Sequence, residues 1–226
     1  LLATNRSWYN AVLAPGELLP EIAWNNGINL TNKFRLNYRD GEVSVDFYRT
    51  DFINQVIVDL DQSAQEVWIY NLNGKSFSNS FQVEGGYEIV KRTQLRLAYR
   101  WLEVKKQFEH GLDLAPLVAS HRGFINLGHE TKKTKEFKQW KTDLTVNIIG
   151  ESRLPKTVSS PVEYQLESNS PAFITANFQA TRVFGKRFEV YVGSENITNF
   201  KQSSPIVSAD NPNSSFFDSS MVWGPI

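Results

Sequence analysis

The sequence predicts an all-β chain, in which about eight antiparallel strands follow one another as an up-and-down meander of the transmembrane β-barrel type. Long segments alternate apolar and polar residues, and no segment sustains the 3.6-residue period of a helix. Short turns also alternate with longer polar loops along the chain. An antiparallel meander places alternate connections at opposite ends of the sheet, and this sorting of short and long connections is typical of outer-membrane β-barrels.

The clearest alternation runs from residue 76 to residue 101 and predicts a long hairpin that turns at residues 90–92. Successive strand side chains point to opposite faces, so the hairpin has one apolar and one polar face. The apolar residues of its two arms are Phe81, Val83, Tyr87, Ile89, Leu95, Leu97, Tyr99 and Trp101.

The other strands follow from the same alternation. In chain order, the predicted strands are residues 21–38, 43–59, 67–90, 93–108, 121–131, 137–149, 172–184 and 188–196. The first hairpin turn is predicted at residues 39–42, because Asp40-Gly41 accepts positive φ. Alternation weakens at Asn54-Gln55, where we expect a bulge or the membrane boundary. The longer connections are residues 60–66, 109–118, 151–171 and 197–218.

Composition narrows the function classes. The chain has 226 residues, with 24 basic and 24 acidic side chains, so no net basic field points to nucleic acid. It has no cysteine, which excludes disulfides and thiolate metal sites. No nucleophile elbow, zinc-protease motif or phosphate loop is present, so we expect no enzyme and no cofactor.

Several short segments together resemble one family. From Pro20 onward, the order and spacing of these segments are similar to the C-terminal barrel of TonB-dependent receptors, in the form found in the Bacteroidetes branch. The segments are residues 20–24 (PEIAW), 46–52 (DFYRTDF), 71–76 (NLNGKS), 98–101 (AYRW), 194–200 (SENITNF) and 217–225 (FDSSMVWGP).

The resemblance implies an active transporter of the bacterial outer membrane, with a 22-strand barrel, a plug domain and a TonB box. The plug, the first barrel strands and the last aromatic-terminated strand are absent. We therefore expect residues 1–226 to be one region, a fragment of the C-terminal part of the barrel. The implied partners are outer-membrane lipid, the protein's own plug and missing strands, the TonB complex, and a siderophore, metal complex or vitamin as substrate.

Candidate site residues come from the polar strand faces and from the loops. The polar rows include Glu84, Arg96, Arg100, Asn177 and Gln179, and three interpretations stay open: contact with a plug, contact with a solute, or solvation. Trp68 and Tyr70 are candidates for ligand contact at an extracellular strand end. In the loops, Arg153 with Lys156 is a candidate for an anionic chelate, and Asp210, Asn211 and Asp218 for a cation.

Histidine and tryptophan positions give two further expectations. His121 and His129 share one strand face, but eight residues of strand separate them by ~26 Å, so they cannot bind one metal ion. The tryptophans lie mostly near predicted strand ends, which favours an interfacial girdle over ordinary core packing. They are Trp8, Trp24, Trp68, Trp101, Trp140 and Trp223.

Two other function classes stay open at this point. One is a soluble, secreted β-sandwich that binds carbohydrate or protein, in which the apolar face is buried inside. The other is a small passive barrel or adhesin without a plug. A sandwich covers its apolar face with a second sheet, whereas a membrane barrel turns that face toward lipid.

Overall fold

A computed structural model of the chain describes residues 11–13, 17–62, 66–219 and 221–226. These residues form an all-β fold, and no α-helix is found among them. Their strands are β1 (Ala11–Leu13), β2 (Ile22–Leu36), β3 (Arg39–Asn54), β4 (Val56–Asp59), β5 (Val67–Asn71), β6 (Ser76–Val90), β7 (Thr93–Phe108), β8 (Gly111–Leu114), β9 (His121–Glu130), β10 (Gln139–Ile149), β11 (Phe173–Val183) and β12 (Glu189–Ser194).

The main sheet is an antiparallel meander. Its strand order is β12-β11-β10-β9-β7-β6-β3-β2, and the short β8 folds back onto the end of β7. Every neighbouring pair is antiparallel. The meander and its eight principal strands confirm the all-β, antiparallel up-and-down arrangement predicted from the alternation. The end strands β2 and β12 do not pair with each other, so the sheet of the described chain stays open.

Short and long connections are sorted to opposite ends of the main sheet, as predicted. One end, here called the short-turn end, carries the connections 37–38, 91–92, 131–138 and 184–188. The other, the long-loop end, carries the connections 55–75, 109–120 and 150–172 and the residues after β12. No helix in the described ranges has the length and apolar character needed to cross a membrane.

The first hairpin turn lies two residues earlier than predicted. Asn37 and Tyr38 form it with φ of 48° and 61°, the left-handed conformation that a two-residue hairpin of the favoured type requires. Gly41 is instead a strand residue opposite Phe34. A Cβ at Gly41 would lie 2.4 Å from the Phe34 ring, so glycine here makes room for an aromatic side chain.

Two predicted strands, 43–59 and 67–90, are each divided between two sheets. The second of them becomes β5 and β6. The predicted strand 43–59 breaks at Gln55, and β4 then pairs with β5 in a separate sheet of order β1-β5-β4. Buried Gln55 fixes the break, because its side-chain oxygen accepts a 2.6 Å hydrogen bond from Ser76 Oγ and its carbonyl accepts one from the Leu72 N–H. The sequence predicted a bulge or the membrane boundary at residues 54–55. The structure shows that the weak alternation there marks a change of sheet instead.

Register places the apolar residues of all eight principal strands on one face of the main sheet. Residues directly opposite in an antiparallel pair share a face, and the apolar positions of each strand meet those of the next. We call this side the apolar face and the opposite side the polar face. The apolar face includes Ile28, Leu30, Val45, Phe47, Phe81, Val83, Leu97, Ile125, Leu127, Leu144, Val146, Ile148, Ile174, Phe178 and Val192.

The apolar face has no second layer over it in the described part of the chain. Leu97 is 48% exposed and Leu30 is 66% exposed, although both lie on strands within or bordering the sheet. The buried apolar residues lie instead at the long-loop end, where Ile57, Tyr70 and Phe108 form a small cluster. A sheet normally buries its apolar face against another layer, so this face requires a cover from outside the described residues.

Candidate functional site

The polar face carries an open concavity of about 970 Å³ over β2, β3, β6 and β7. Its charged lining is mixed in sign. Lys33, Arg35 and Arg96 supply positive charge, and Asp40, Glu42 and Glu84 supply negative charge. The alternation of each strand brings these side chains to one face, as the sequence predicted for Glu84 and Arg96.

Four of the six charged side chains of the larger concavity form two exposed ion pairs, Lys33–Glu42 and Arg35–Asp40. Lys33 and Glu42 are 3.4 Å apart, with side chains 80% and 50% exposed, so the pair contributes little stability. Glu84 accepts a 3.3 Å hydrogen bond from Gln82 Nε2, and Arg96 donates one of 3.2 Å to Gln94 Oε1. Polar neighbours thus orient both predicted residues, and neither is neutralised by an opposite charge in the described chain.

A smaller concavity of about 400 Å³ extends this surface toward β10. It shares Asp40, Gln94 and Arg96 with the larger one and adds Lys141 and Asp143. The polar face therefore presents a continuous, mixed-charge surface across six strands near the short-turn end. Such a surface suits hydrogen bonding to another polypeptide or to a polar solute.

Asn177 and Gln179 lie on the polar face but away from Glu84 and Arg96. They stand on β11, three strand spacings from β7, or ~14 Å. The Asn177 side-chain oxygen accepts the Asn196 N–H at 2.9 Å, and Gln179 Nε2 donates to Thr181 Oγ1 at 3.3 Å. The structure therefore places the polar candidates in two groups on one face.

Arg153, a loop candidate for an anionic chelate on sequence grounds, lies in a buried ion pair. Its side chain is 10% exposed, and its two terminal nitrogens donate to the Asp61 carboxylate oxygens at 2.9 and 2.8 Å. Its Nε donates to the Leu114 carbonyl at 2.6 Å. The guanidinium carbon also lies 5.6 Å from the centre of the Phe108 ring. These contacts hold the Arg153 guanidinium in the protein interior.

Five charged or titratable residues, including this ion pair, link the three long loops at the long-loop end to one another. We call Asp61, His110, Asp113, Arg153 and Lys156 the loop junction. Asp61 also accepts the Lys156 backbone N–H at 2.9 Å. Asp113 accepts His110 Nε2 at 3.2 Å and lies 3.4 Å from Lys156 Nζ. Sequence reasoning missed Asp61 and Asp113, since an acidic residue in a polar loop gives no sign of a partner far along the chain.

The loop junction predicts a pH dependence of stability below the ordinary aspartate pKa. Partial burial opposes ionisation of Asp113, but hydrogen bonds from the Leu114 N–H and His110, with the charges of Arg153 and Lys156, lower its pKa below 3.8. A carboxyl whose pKa is lowered by folding stabilises the fold above its ordinary pKa and loses that contribution as pH falls through the lowered value. We expect the free energy of unfolding to fall as pH drops below 3.8, and Asp113→Asn to reduce that dependence. Denaturant titrations at a series of acidic pH values measure it, and identical profiles for the two proteins would contradict the expectation.

Tyr70 and Trp68 lie on β5, beside the same buried region. The Tyr70 hydroxyl donates to Asp59 Oδ2 at 2.9 Å, and burial together with this carboxylate raises the pKa of Tyr70 well above its usual range. Trp68 donates from Nε1 to Glu66 at 2.9 Å and packs against the Ile57 cluster. Tyr70 is thus a buried structural residue, while half-buried Trp68 keeps part of its ring accessible.

The histidines each have their own partner. His121 Nδ1 lies 2.7 Å from the Tyr99 hydroxyl, and His129 Nδ1 lies 2.8 Å from Thr93 Oγ1. His110 belongs to the loop junction. Within the described ranges, no three His, Cys, Asp or Glu side chains are grouped to hold a metal ion. In the last segment, Asp218 is buried whereas Asp210 and Asn211 are exposed.

Three tryptophans lie on the apolar face, near both of its ends. Trp24 and Trp101 are near the long-loop end, and Trp140 is the second residue of β10 at the short-turn end. Trp223 packs instead with Phe173 and Phe200 in the last segment. Trp8 lies outside the described residues. The girdle predicted from strand ends stays a prediction: Trp24 and Trp140 lie near strand ends, whereas Trp101 lies in the middle of β7.

Comparison with known proteins adds no family. No protein-family model matches the chain, and no curated protein matches it at a significant level. Function is therefore inferred from the two faces of the sheet, the loop geometry and the resemblance of the short segments described above.

Proposed function

We propose that this chain is an arc of the β-barrel of a TonB-dependent outer-membrane transporter, which takes up a scarce solute such as a siderophore, a metal complex or a vitamin. In this proposal the arc belongs to a 22-strand barrel that encloses a plug domain. The observation that carries the proposal is the uncovered apolar face, which forms a bounded band across the eight principal strands.

The length of this band along a strand fits a membrane-spanning strand. On β10 the apolar face runs from Trp140 to Ile148, which is nine residues or ~26 Å measured along the strand. Outer-membrane barrels present an apolar band with aromatic residues at both borders. Most of the principal strands have 10 to 16 residues. They are therefore long enough to cross a bilayer, since a tilted membrane strand needs about 9–11 residues.

On the longer strands, the apolar face ends before the strands do. Beyond Phe81 and Trp101, toward the long-loop end, the same face becomes polar. Asn79 accepts from Arg49 Nη1 at 3.1 Å and donates to Glu103 at 2.9 Å, and Lys105 lies 3.0 Å from Glu103. A change from apolar to charged residues in mid-strand is expected where a strand leaves lipid and enters water.

The edges of the sheet also favour an arc of a larger barrel. Strands β2 and β12 each have one hydrogen-bonded neighbour in the described chain. Every β2 residue is exposed along its whole length. Hydrocarbon cannot satisfy the free N–H and C=O groups of such an edge, so a membrane-embedded sheet needs further strands until it closes.

In this arrangement the polar face lines the lumen. Glu84, Arg96 and Arg100 on one side, and Asn177 and Gln179 on the other, then face the plug or a passing solute. The loop junction holds together the long connections, which in outer-membrane barrels are extracellular. Energy for transport reaches the barrel through a TonB contact made by another part of the protein.

The alternative of a soluble β-sandwich has less support. A sandwich needs a second sheet about 10 Å above the apolar face. The only other sheet of the described residues, β1-β5-β4, contributes Ile57 and Tyr70 to the small cluster with Phe108 at the long-loop end. A closed eight-strand barrel would need β2 to pair with β12, and this pairing is absent.

Two measurements on the native polypeptide in its own cells test the proposal. We expect the protein in the outer-membrane fraction, resistant to urea extraction. We also expect uptake of radiolabelled ferric citrate, ferric siderophore or cobalamin to fall in a deletion strain and after treatment with a protonophore. Recovery as a soluble monomer would overturn the membrane assignment. Membrane location with protonophore-insensitive uptake would overturn active transport and leave a passive barrel.

A further inference from the structure

Two arginines stand directly opposite each other on the polar face. Arg100 on β7 pairs in register with Arg122 on β9. Cβ atoms of directly opposite residues lie about 4.5–5.5 Å apart, and like charges at such positions destabilise a sheet. The pair is therefore unfavourable unless a negative group lies close to both guanidinium groups.

The described chain supplies no such group. No acidic side chain among the described residues lies within 4.0 Å of either guanidinium. The Arg100 Nε is buried and has no hydrogen-bond partner there. Glu84, the nearest carboxylate by register, is diagonal to Arg100 and accepts its hydrogen bond from Gln82. A buried donor without a partner is unfavourable, which adds to the cost of placing this side chain beside a second arginine.

The pair is accessible from the polar side. Arg122 is exposed and Arg100 is half-buried. The next register pair on the same face is Ala98 with Phe124, and both residues line the larger concavity. Arg100 and Arg122 therefore lie one register pair away from the lining of that concavity, on its side toward the long loops. The backbone of two paired strands fixes the spacing of their Cβ atoms.

We propose that Arg100 and Arg122 form a binding site for the oxyanion group of a small molecule, a carboxylate or a phosphate. A planar guanidinium presents parallel N–H donors that match the two oxygens of such a group. One anion between the two arginines offsets the like-charge repulsion. Arg96 is not part of the pair, because it faces Gly86 and Asn126 and donates to Gln94. The site does not depend on the transport function proposed above.

The first test observes the arginine side chains directly. The intact protein, labelled with ¹⁵N-arginine in a mild detergent, is titrated with sodium citrate, and separately with inorganic phosphate, at constant ionic strength. We expect saturable shifts of the Arg100 Nε–Hε resonance, and a loss of affinity of about tenfold or more in Arg100→Gln and in Arg122→Gln. The control Lys132→Gln, which removes an exposed charge from the 131–138 connection, should change affinity less than about twofold. No saturable shift with either probe, or an equal effect of Lys132→Gln, would overturn the site.

The second test is independent of resonance assignment. Because Arg122→Gln removes the repulsion, we expect this variant to unfold at a higher temperature than the unaltered protein in anion-free buffer. Citrate should raise the unfolding temperature of the unaltered protein and leave that of Arg122→Gln nearly unchanged. A rise of the same size in both proteins would show general salt stabilisation and would overturn the proposal.

Discussion

Replacing Leu97 with Arg is expected to lower the stability of the protein in a bilayer by about 2–4 kcal/mol. Leu97 lies on the apolar face of β7, where Gly85 and Ile125 are its register partners. It is 48% exposed, so the described chain provides no core for an arginine to disrupt. In water the same change at an exposed position is worth only about ±0.5 kcal/mol. The size of the loss therefore separates a lipid-facing sheet from a water-facing one.

Adjacent positions on β10 provide the matched control. Val146 lies on the apolar face and Asn147 on the polar face of the same strand. We expect Val146→Arg to behave as Leu97→Arg does, and Asn147→Arg to change the free energy of unfolding by less than about 0.5 kcal/mol. Reversible guanidinium unfolding from lipid vesicles, followed by tryptophan fluorescence, measures all three variants. Equal losses on both faces would be inconsistent with a lipid-facing apolar side.

Removing the carboxylate of Asp61 is expected to destabilise the protein by about 3–5 kcal/mol. Asp61→Ala leaves the Arg153 guanidinium unpaired at a position where its side chain is only 10% exposed. It also removes the acceptor of the Lys156 backbone N–H. An uncompensated buried charge is costly because neither water nor another acceptor replaces the lost carboxylate. Denaturant unfolding measures the loss.

An exposed ion pair serves as the control for this variant. Glu42→Gln breaks the Lys33–Glu42 pair on the open polar face, and we expect a change below about 1 kcal/mol. Hydrogen exchange locates the effect of Asp61→Ala. Faster exchange should be confined to the connections 55–75, 109–120 and 150–172, while β6 and β7 stay protected. Uniformly faster exchange in the strands would show that the junction supports the whole sheet and not the loops alone.

Alternation predicted the sheet well, because each principal strand contacts mainly its neighbours in the meander and its two faces differ in polarity. The same pattern weakened at residues 54–55 but could not separate β3 from β4, since apolar residues resume at Val56 and look like a continuation of the same strand. Gln55 decides this break through hydrogen bonds to Ser76 and Leu72, and those partners are remote in sequence.

The candidate site was likewise predictable only where it depends on alternation within a strand. Parity alone places Glu84, Arg96 and Arg100 on one face, because side-chain direction repeats every two residues. Parity does not state which residue stands opposite Arg100, since that depends on the register between β7 and β9. The Asp61–Arg153 pair joins residues 92 positions apart, and no pattern of neighbouring residues in the sequence predicts such a contact.

The hairpins of the meander can form one after another from segments close in the chain, whereas the loop junction needs the strands between residues 61 and 153 to be in place. Closure of that contact is thus a late event in folding. The two ends of the sheet should then differ in their tolerance of altered length. An insertion at 131–138 lengthens one isolated turn, but an insertion in the connections 109–120 or 150–172 at the opposite end displaces ion-pair partners supplied by other connections. These loops are therefore expected to change in length together, as one unit.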